Sequence, residues 1–172
     1  MNIISELAHN LLTKPPPKTI LSYMGGGDSM FNFFDYTPFV VIIGDIKGSK
    51  KLINRNAVQK QLRELLGAIN QTFQATVASD FRITLGDEFQ GLLYCGKPVA
   101  HILDRIEREM FPVKIRFGIG VGEITTDIRS STTEIDGPAY NLARDMIDML
   151  RASETEKMEP KTNVKIEIQG NT

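Results

Sequence analysis

The stretch "FVVIIGDI" at residues 39–46 constrains the fold of this chain more than any other. Its residues are apolar and mostly β-branched on both sides of an extended strand, so neither face of that strand is suited to water. The stretch therefore predicts a central, buried strand. It also places the carboxylate of Asp45 near the end of that strand, where a buried charge without a partner is costly.

A second Gly-Asp pair repeats this arrangement. The stretch "ITLGDEFQGLL" carries Gly86-Asp87 beside apolar residues, as the first stretch carries Gly44-Asp45. Two carboxylates that face each other repel unless a cation lies between them. The repetition predicts a divalent metal site. The alternatives are a side-chain hydrogen bond that Asp45 accepts from the following turn and a solvated hairpin turn at Asp87-Glu88.

The order of the predicted elements explains how the two pairs would meet. Apolar spacings of three and four predict helices over about 56–75 and in "PVAHILDRIEREM" and "IDGPAYNLARDMIDMLRAS". Strands are predicted before and after Gly86-Asp87 and in "VKIRFGIGVGEI" and "VKIEIQ". The order strand-helix-strand-strand-helix-strand predicts an α+β domain of the ferredoxin-like type, an antiparallel sheet with helices packed on it. In that fold Asp45 and Asp87 converge at one edge of the sheet.

Composition excludes several classes of function. The 172 residues carry a net charge of −1, from 20 Lys and Arg against 21 Asp and Glu, which gives no general attraction for nucleic acid or an anionic membrane. The longest wholly apolar run, Phe39 to Ile43, is too short to span a bilayer. One Cys and two His exclude an internal disulfide and a Cys-rich or His-rich zinc site. A cytoplasmic protein without membrane or nucleic-acid partners is the expectation.

Residues 1–37 differ from the rest of the chain. "IISELAHNLL" predicts a short helix, after which "PPP" and "GGGDS" interrupt regular structure. We therefore expect a flexible N-terminal tail over 1–37 and a single domain over 38–172.

Four stretches carry a resemblance to known families. Residues 39–151 resemble the SatD family and, more distantly, the class III nucleotide cyclases and the GGDEF diguanylate cyclases. The stretches are "VIIGDIKGS", "ITLGDEFQGLL", "VKIRFGIGVGEI" and "DGPAYNLAR". The two cyclase families share a palm-like version of the ferredoxin fold. The resemblance therefore implies a nucleotide cyclase-like domain.

The resemblance also implies a metal site. Asp45 and Asp87 would ligate two Mg²⁺ or Mn²⁺ ions, with the backbone carbonyl of Ile46 as a further ligand. Glu88 would be a third acidic ligand or a base. Such hard cations prefer oxygen ligands and are usually held together with substrate phosphates.

The nucleotide would lie beside this metal site. By the same resemblance, the turn Lys47-Gly48-Ser49 would wrap the β- and γ-phosphates of ATP or GTP with backbone N–H groups. Asn141 and Arg144 would address the ribose and the charge that develops during cyclisation, across the interface of a homodimer.

The sequence departs from the cyclase pattern at three places. Ile83 stands where class III enzymes carry a base-reading Lys or Glu, and Leu85 stands where diguanylate cyclases carry a second Gly. Asn141 and Arg144 are three residues apart instead of four. Two hypotheses therefore stay open, a metal-dependent nucleotide-binding protein that cyclises its ligand and a non-catalytic regulatory module. A third alternative is a scaffold whose acidic pair has lost its role.

Overall fold

The computed structural model describes residues 38–125, 136–155 and 162–170. The tail and short helix predicted for residues 1–37 lie outside these ranges. The described residues form five strands, β1 (Phe39–Ile46), β2 (Val77–Leu85), β3 (Glu88–Leu93), β4 (Ile115–Gly122) and β5 (Val164–Ile168). They also form three α-helices, α1 (Arg55–Thr72), α2 (Val99–Met110) and α3 (Pro138–Thr155), and a short 3₁₀ helix at Ser49–Lys51.

The strands form one sheet in the order β2-β3-β1-β4-β5. β1 lies at its centre, antiparallel to both β3 and β4, and β2 pairs antiparallel with β3. The predicted α+β class and the central position of β1 are therefore confirmed. The sheet is mixed rather than wholly antiparallel, because β5 runs parallel to β4. The chain reaches β5 through α3, and a crossover of this kind is what a parallel pair requires.

Helices cover both faces of the sheet. Val40 and Ile42 of β1 belong to the larger apolar cluster, which also contains the buried residues of α1 and α2. Val41 and Ile43 belong to a second cluster, which contains the apolar side of α3. The alternation of strand side chains thus explains why β1 is apolar on both sides. None of the helices in the described ranges combines the length and apolarity needed to cross a membrane.

Glycines on β4 bring α3 unusually close to the sheet. A Cβ atom at Gly118 would lie 2.2 Å from the carbonyl oxygen of Ala143, and one at Gly120 would lie 2.0 Å from that of Ala139. Because neither contact is possible for a real side chain, glycine at these two positions permits the close approach of α3 to β4. This close packing carries the last turns of α3 to the end of β1, where Arg151 contacts Asp45.

The β2–β3 hairpin turns at Gly86-Asp87, as the sequence predicts. The backbone N–H of Ile46 donates to the carbonyl of Asp87 at 3.2 Å. The side-chain amide of Gln59 donates to the carbonyl of Gly86. The turn is therefore fixed to the end of β1 on one side and to α1 on the other.

Candidate functional site

The two Gly-Asp stretches meet at one end of the sheet. Asp45 lies directly opposite Glu88 in the register of β1 and β3, and the Ile46–Asp87 hydrogen bond lies one step further along. The carboxylates of Asp45 and Glu88 are on the same face of the sheet, since both contact Arg151 of α3. The sheet thus brings together four of the predicted positions, 45, 46, 87 and 88.

Two arginines hold the carboxylate of Asp45, which is only 4% exposed. Arg116 lies opposite Asp45 on β4, and its Nη1 is 2.5 Å from Asp45 Oδ2. Arg151 approaches from α3, with Nη2 at 3.1 Å from Asp45 Oδ1. The hydrogen bond to Asp45 raises the pKa of Arg151 above its ordinary value. The cost of burying this carboxylate is therefore offset by two guanidinium groups.

Arg151 is shared among three carboxylates. The Nη2 atom that contacts Asp45 is also 3.7 Å from Glu88 Oε2. Arg151 Nη1 is 3.2 Å from Asp148 Oδ1, one turn earlier on α3. On the other side of Glu88, Arg144 Nη2 lies 3.2 Å from Oε1. One positive group thus occupies the space between the carboxylates of Asp45 and Glu88.

Glu154, at the end of α3, extends these ion pairs towards the turn that follows β1. Its Oε1 is 2.6 Å from Lys47 Nζ, and its Oε2 is 2.6 Å from Arg116 Nη2. We refer to the whole set as the charged network. It contains four acidic and four basic side chains: Asp45, Lys47, Glu88, Arg116, Arg144, Asp148, Arg151 and Glu154.

The turn Lys47-Gly48-Ser49 is tight, and one of its three backbone N–H groups donates a hydrogen bond within the protein. Gly48 is left-handed, with φ of 64°, a conformation that glycine adopts at little cost. The N–H of Lys47 donates to the carbonyl of Lys114 at 2.8 Å. No described residue accepts a hydrogen bond from the N–H of Gly48 or Ser49. Two of the three predicted phosphate donors are therefore free of protein acceptors within the described part of the chain.

The two predicted positions on α3 differ in their relation to the site. Arg144 reaches the charged network through Glu88 of the same chain. Asn141 is exposed, and no described residue forms a hydrogen bond with its side chain. Of these two residues, Arg144 contacts the charged network within the described part of the chain, and Asn141 does not.

The acidic residues do not form a complete metal cage by themselves. Within the described ranges, no group of three or more His, Cys, Asp and Glu side chains has the arrangement of a metal site. The carboxylate of Asp87 has no hydrogen bond or ion pair with any described residue. The carboxylates near one another at this strand end are those of Asp45 and Glu88, with Asp87 in the adjacent turn. Their oxygens are of the type that Mg²⁺ and Mn²⁺ prefer, and those of Asp45 already contact Arg116 and Arg151.

The sequence reasoning missed Arg116, Arg151 and Glu154. A signal for Arg116 exists in "IRFGIGVG", where it shares its strand face with three glycines and is the one charged side chain of that stretch. Arg151 follows Arg144 by seven residues, or two helical turns, and so lies on the same side of α3. Neither signal identifies the carboxylates that these arginines contact.

Glu154 gives a prediction on stability against pH. The hydrogen bond from Arg116, aided by Lys47, lowers the pKa of Glu154 from 4.5 to about 2. A carboxyl group with a lowered pKa in the folded state stabilises the protein above pH 4.5, and this contribution disappears as the pH falls towards 2. Since solvent reaches the carboxylate, we expect Glu154→Gln to lower the free energy of unfolding at neutral pH by roughly 1 to 2 kcal/mol.

Urea denaturation at neutral pH and at a pH close to the lowered pKa of Glu154, about 2, measures this difference in the free energy of unfolding. The difference between the wild-type protein and Glu154→Gln should shrink as the pH is lowered. Glu64→Gln is the control, because the ion pair of Glu64 with Lys60, at 3.9 Å, is exposed. A difference that is constant with pH would show that ionisation of Glu154 is not its source.

A comparison with known protein families agrees with the resemblance seen in the sequence. The model of the SatD family matches residues 39–168, from the first residue of β1 to the last residue of β5. No curated protein matches the chain. Since the family match spans the whole described sheet and most of the sequence, the chain belongs to the SatD family.

Proposed function

We propose that this protein binds a nucleoside triphosphate together with Mg²⁺ or Mn²⁺ at the end of β1. The observation that carries the proposal is the position of the Arg151 guanidinium between Asp45 Oδ1 and Glu88 Oε2, at 3.1 and 3.7 Å. Two buried or half-buried carboxylates share one positive group there. Such an arrangement is suited to a cation, because the two negative charges repel unless a positive charge separates them.

Asp45 and Glu88 are the side chains that would hold the metal. Asp87 and the carbonyl of Ile46 are further oxygen donors at the same strand end, next to the hydrogen bond that joins these two residues. Magnesium is commonly bound through one or two carboxylates and the phosphates of a nucleotide. The metal would supply positive charge to the phosphate oxygens.

The turn after β1 is the proposed phosphate site. The N–H groups of Gly48 and Ser49 point to no described acceptor, and the Lys47 ammonium lies in the charged network. Lys47 would contribute its side chain only, since its N–H donates to Lys114. Backbone N–H groups of consecutive turn residues are a common way to bind phosphate.

Cyclisation of the bound ATP or GTP is the activity that the cyclase resemblance adds to this proposal. Arg144 would then lie against the charge that develops on the phosphate, and Asn141 would address the ribose. The contact between Arg144 and Glu88 of the same chain supports a position for Arg144 beside the proposed metal ligands. The homodimer expected from the resemblance stays a prediction, which sedimentation of the purified protein would test.

A non-catalytic regulatory module is the second candidate. Asp45 already has two cationic partners within its own chain, which satisfies its charge without a metal. Ile83, at the position where class III cyclases read the base, packs against the larger apolar cluster. Chromatography of the nucleotide after incubation separates the two candidates, because only the enzyme changes its ligand.

Thermal unfolding with added ligands tests the binding proposal. ATP or GTP with Mn²⁺ should raise the melting temperature by several degrees, since a ligand at one hundred times its Kd stabilises the folded state by about 2.7 kcal/mol. The same nucleotide with a chelator should have little effect. We expect Glu88→Gln to lose most of the metal-dependent rise.

Glu109→Gln is the matched control, since Glu109 forms its ion pair with Arg105 on α2, outside the charged network. It should keep the full rise. An increase that is equally large with the chelator would contradict metal-dependent binding. No increase with either nucleotide would contradict the proposal as a whole.

A further inference from the structure

We propose that Arg151 is a phosphate-binding residue that exchanges partners when the ligand binds. It pairs with Asp45 and Glu88 until a divalent cation takes its place between them, and it then pairs with the triphosphate that accompanies the cation. This inference rests on the proposed function, because it assigns a role in the same site to a residue for which the cyclase resemblance implies none.

The two arginines on Asp45 differ in how far solvent reaches them. The side chain of Arg116 is 13% exposed and belongs to the central part of the sheet on β4. It also donates from Nε and Nη2 to the two carboxylate oxygens of Glu154, at 3.2 and 2.6 Å. The side chain of Arg151 is 43% exposed and extends from the surface of α3. Arg151 contacts both oxygens of Asp45, with Nε at 3.3 Å from Oδ2 and Nη2 at 3.1 Å from Oδ1. Because solvent reaches its guanidinium, water can replace these contacts more readily than those of the buried Arg116.

A cation and the Arg151 guanidinium cannot occupy the same position. A metal ion within coordination distance of Asp45 Oδ1 and Glu88 Oε2 would lie against Nη2, which is 3.1 and 3.7 Å from these atoms. Like charges at such a separation repel strongly where water is partly excluded. Metal binding therefore displaces Arg151 from this position.

The displaced side chain remains beside the site. Asp148, one turn earlier on α3, contacts Arg151 Nη1 at 3.2 Å and lies outside the Asp45–Glu88 pair. A guanidinium group held there is close to the phosphates of a ligand whose metal lies on Asp45. Arginine is well suited to this second partner, because its planar donors match two phosphate oxygens at once.

The balance of charge in the charged network predicts that the binding of the metal and the binding of the nucleotide strengthen each other. Its four acidic and four basic side chains compensate one another. A divalent cation alone adds positive charge and separates Arg151 from two of its carboxylate partners, Asp45 and Glu88. A triphosphate alone meets arginines that are already paired. Together they exchange partners with the network, so each should increase the affinity for the other by the same factor.

Binding of Mn²⁺ to the full chain tests this exchange, with free Mn²⁺ measured by electron paramagnetic resonance. Without nucleotide, Arg151→Gln should bind Mn²⁺ about tenfold more tightly than the wild-type protein, since the competing charge is gone. The factor by which ATP or GTP increases the Mn²⁺ affinity should fall by about tenfold in the same variant, since a phosphate contact is lost. Arg151→Lys keeps the charge and should bind Mn²⁺ alone nearly as the wild-type protein does.

Arg108→Gln is the matched control. Arg108 pairs with Asp104 at 2.8 Å on α2. Its replacement should change neither the affinity for Mn²⁺ alone nor the factor by which a nucleotide increases that affinity. Circular dichroism of each variant checks that the fold is retained.

The outcomes separate this inference from the proposed function. Unchanged or weaker binding of Mn²⁺ alone by Arg151→Gln would overturn the exchange, even if the wild-type protein binds metal and nucleotide together. Suppose that Arg151→Gln binds Mn²⁺ alone tenfold more tightly, but that ATP or GTP increases its Mn²⁺ affinity by the same factor as in the wild-type protein. This result would overturn the phosphate contact of Arg151. If the wild-type protein binds neither nucleotide, the proposed function fails, and the role of Arg151 as a phosphate contact fails with it.

Discussion

Replacing Asp45 with asparagine should lower the free energy of unfolding by about 2 to 4 kcal/mol. The carboxylate is 4% exposed and accepts from Arg116 and Arg151 at once. An amide of the same shape has no charge, and its NH₂ group would face guanidinium donors. Both arginines keep other carboxylate partners, which limits the loss. Urea denaturation at neutral pH measures the change.

Asp104→Asn is the control for this loss. Asp104 pairs with Arg108 at 2.8 Å, and both side chains are more than half exposed. We expect its free energy of unfolding to differ from that of the wild-type protein by less than about 1 kcal/mol. Equal losses for the two variants would mean that the arginines do little for the buried carboxylate of Asp45.

The same Asp45 variant should also lose the rise in melting temperature that a nucleotide with Mn²⁺ produces. The comparison uses the variant's own melting temperature without ligand, so that its lower stability does not enter the result. A rise of wild-type size would place the nucleotide elsewhere on the protein.

Introducing a methyl group at Gly120 should have an effect of similar size on the fold. In Gly120→Ala the new Cβ would lie 2.0 Å from the carbonyl oxygen of Ala139 and 2.6 Å from the backbone N of Ala143. Both are backbone atoms of α3, so the helix itself would have to move away from β4. Overpacking of this kind typically costs about 1 to 3 kcal/mol, and we expect the upper end of that range because no side chain can rotate to make room.

The matched control is Gly67→Ala on α1, where no atom lies within 4 Å of the added Cβ. Alanine is the better helix former, so this variant should gain about 0.5 to 1 kcal/mol. Thermal or chemical unfolding of both variants gives the comparison. A Gly120→Ala protein as stable as the wild type would show that α3 can shift on the sheet at little cost.

The sequence was a good guide to the elements themselves. Strict apolar character on both sides of "FVVIIGDI" predicted the central strand, and Gly86-Asp87 predicted the hairpin turn. The first helix was predicted over about 56–75 and runs from Arg55 to Thr72. The predicted helix extends too far because Phe73 continues the apolar spacing. In the structure, the carbonyl of Phe73 accepts from the backbone N–H groups of Thr76 and Val77 in the turn to β2. These features depend on neighbouring residues, which periodicity and turn chemistry describe well.

The register of β1 and β3 decides which acidic side chain faces Asp45. The repeated Gly-Asp pairs predict that Asp87 faces Asp45, whereas the carboxylate that faces Asp45 across the sheet is that of Glu88. The turn uses Gly86 and Asp87, so that β3 begins at Glu88. Because strand side chains alternate between faces, a shift of one residue decides which acidic group shares a face with Asp45.

The sequence by itself determined the α+β class, the buried central strand and the meeting of the two Gly-Asp stretches at one end of the sheet. These follow from local patterns of apolar residues and turns. Only the tertiary structure decided that Arg116 and Arg151 hold the Asp45 carboxylate, since one lies on β4 and the other on α3. Their contact with Asp45 requires the pairing of β1 with β4 and the close packing of α3 on the glycines of β4. Charges distant in the sequence become partners only when packing brings them within a few ångströms, where their attraction is strong.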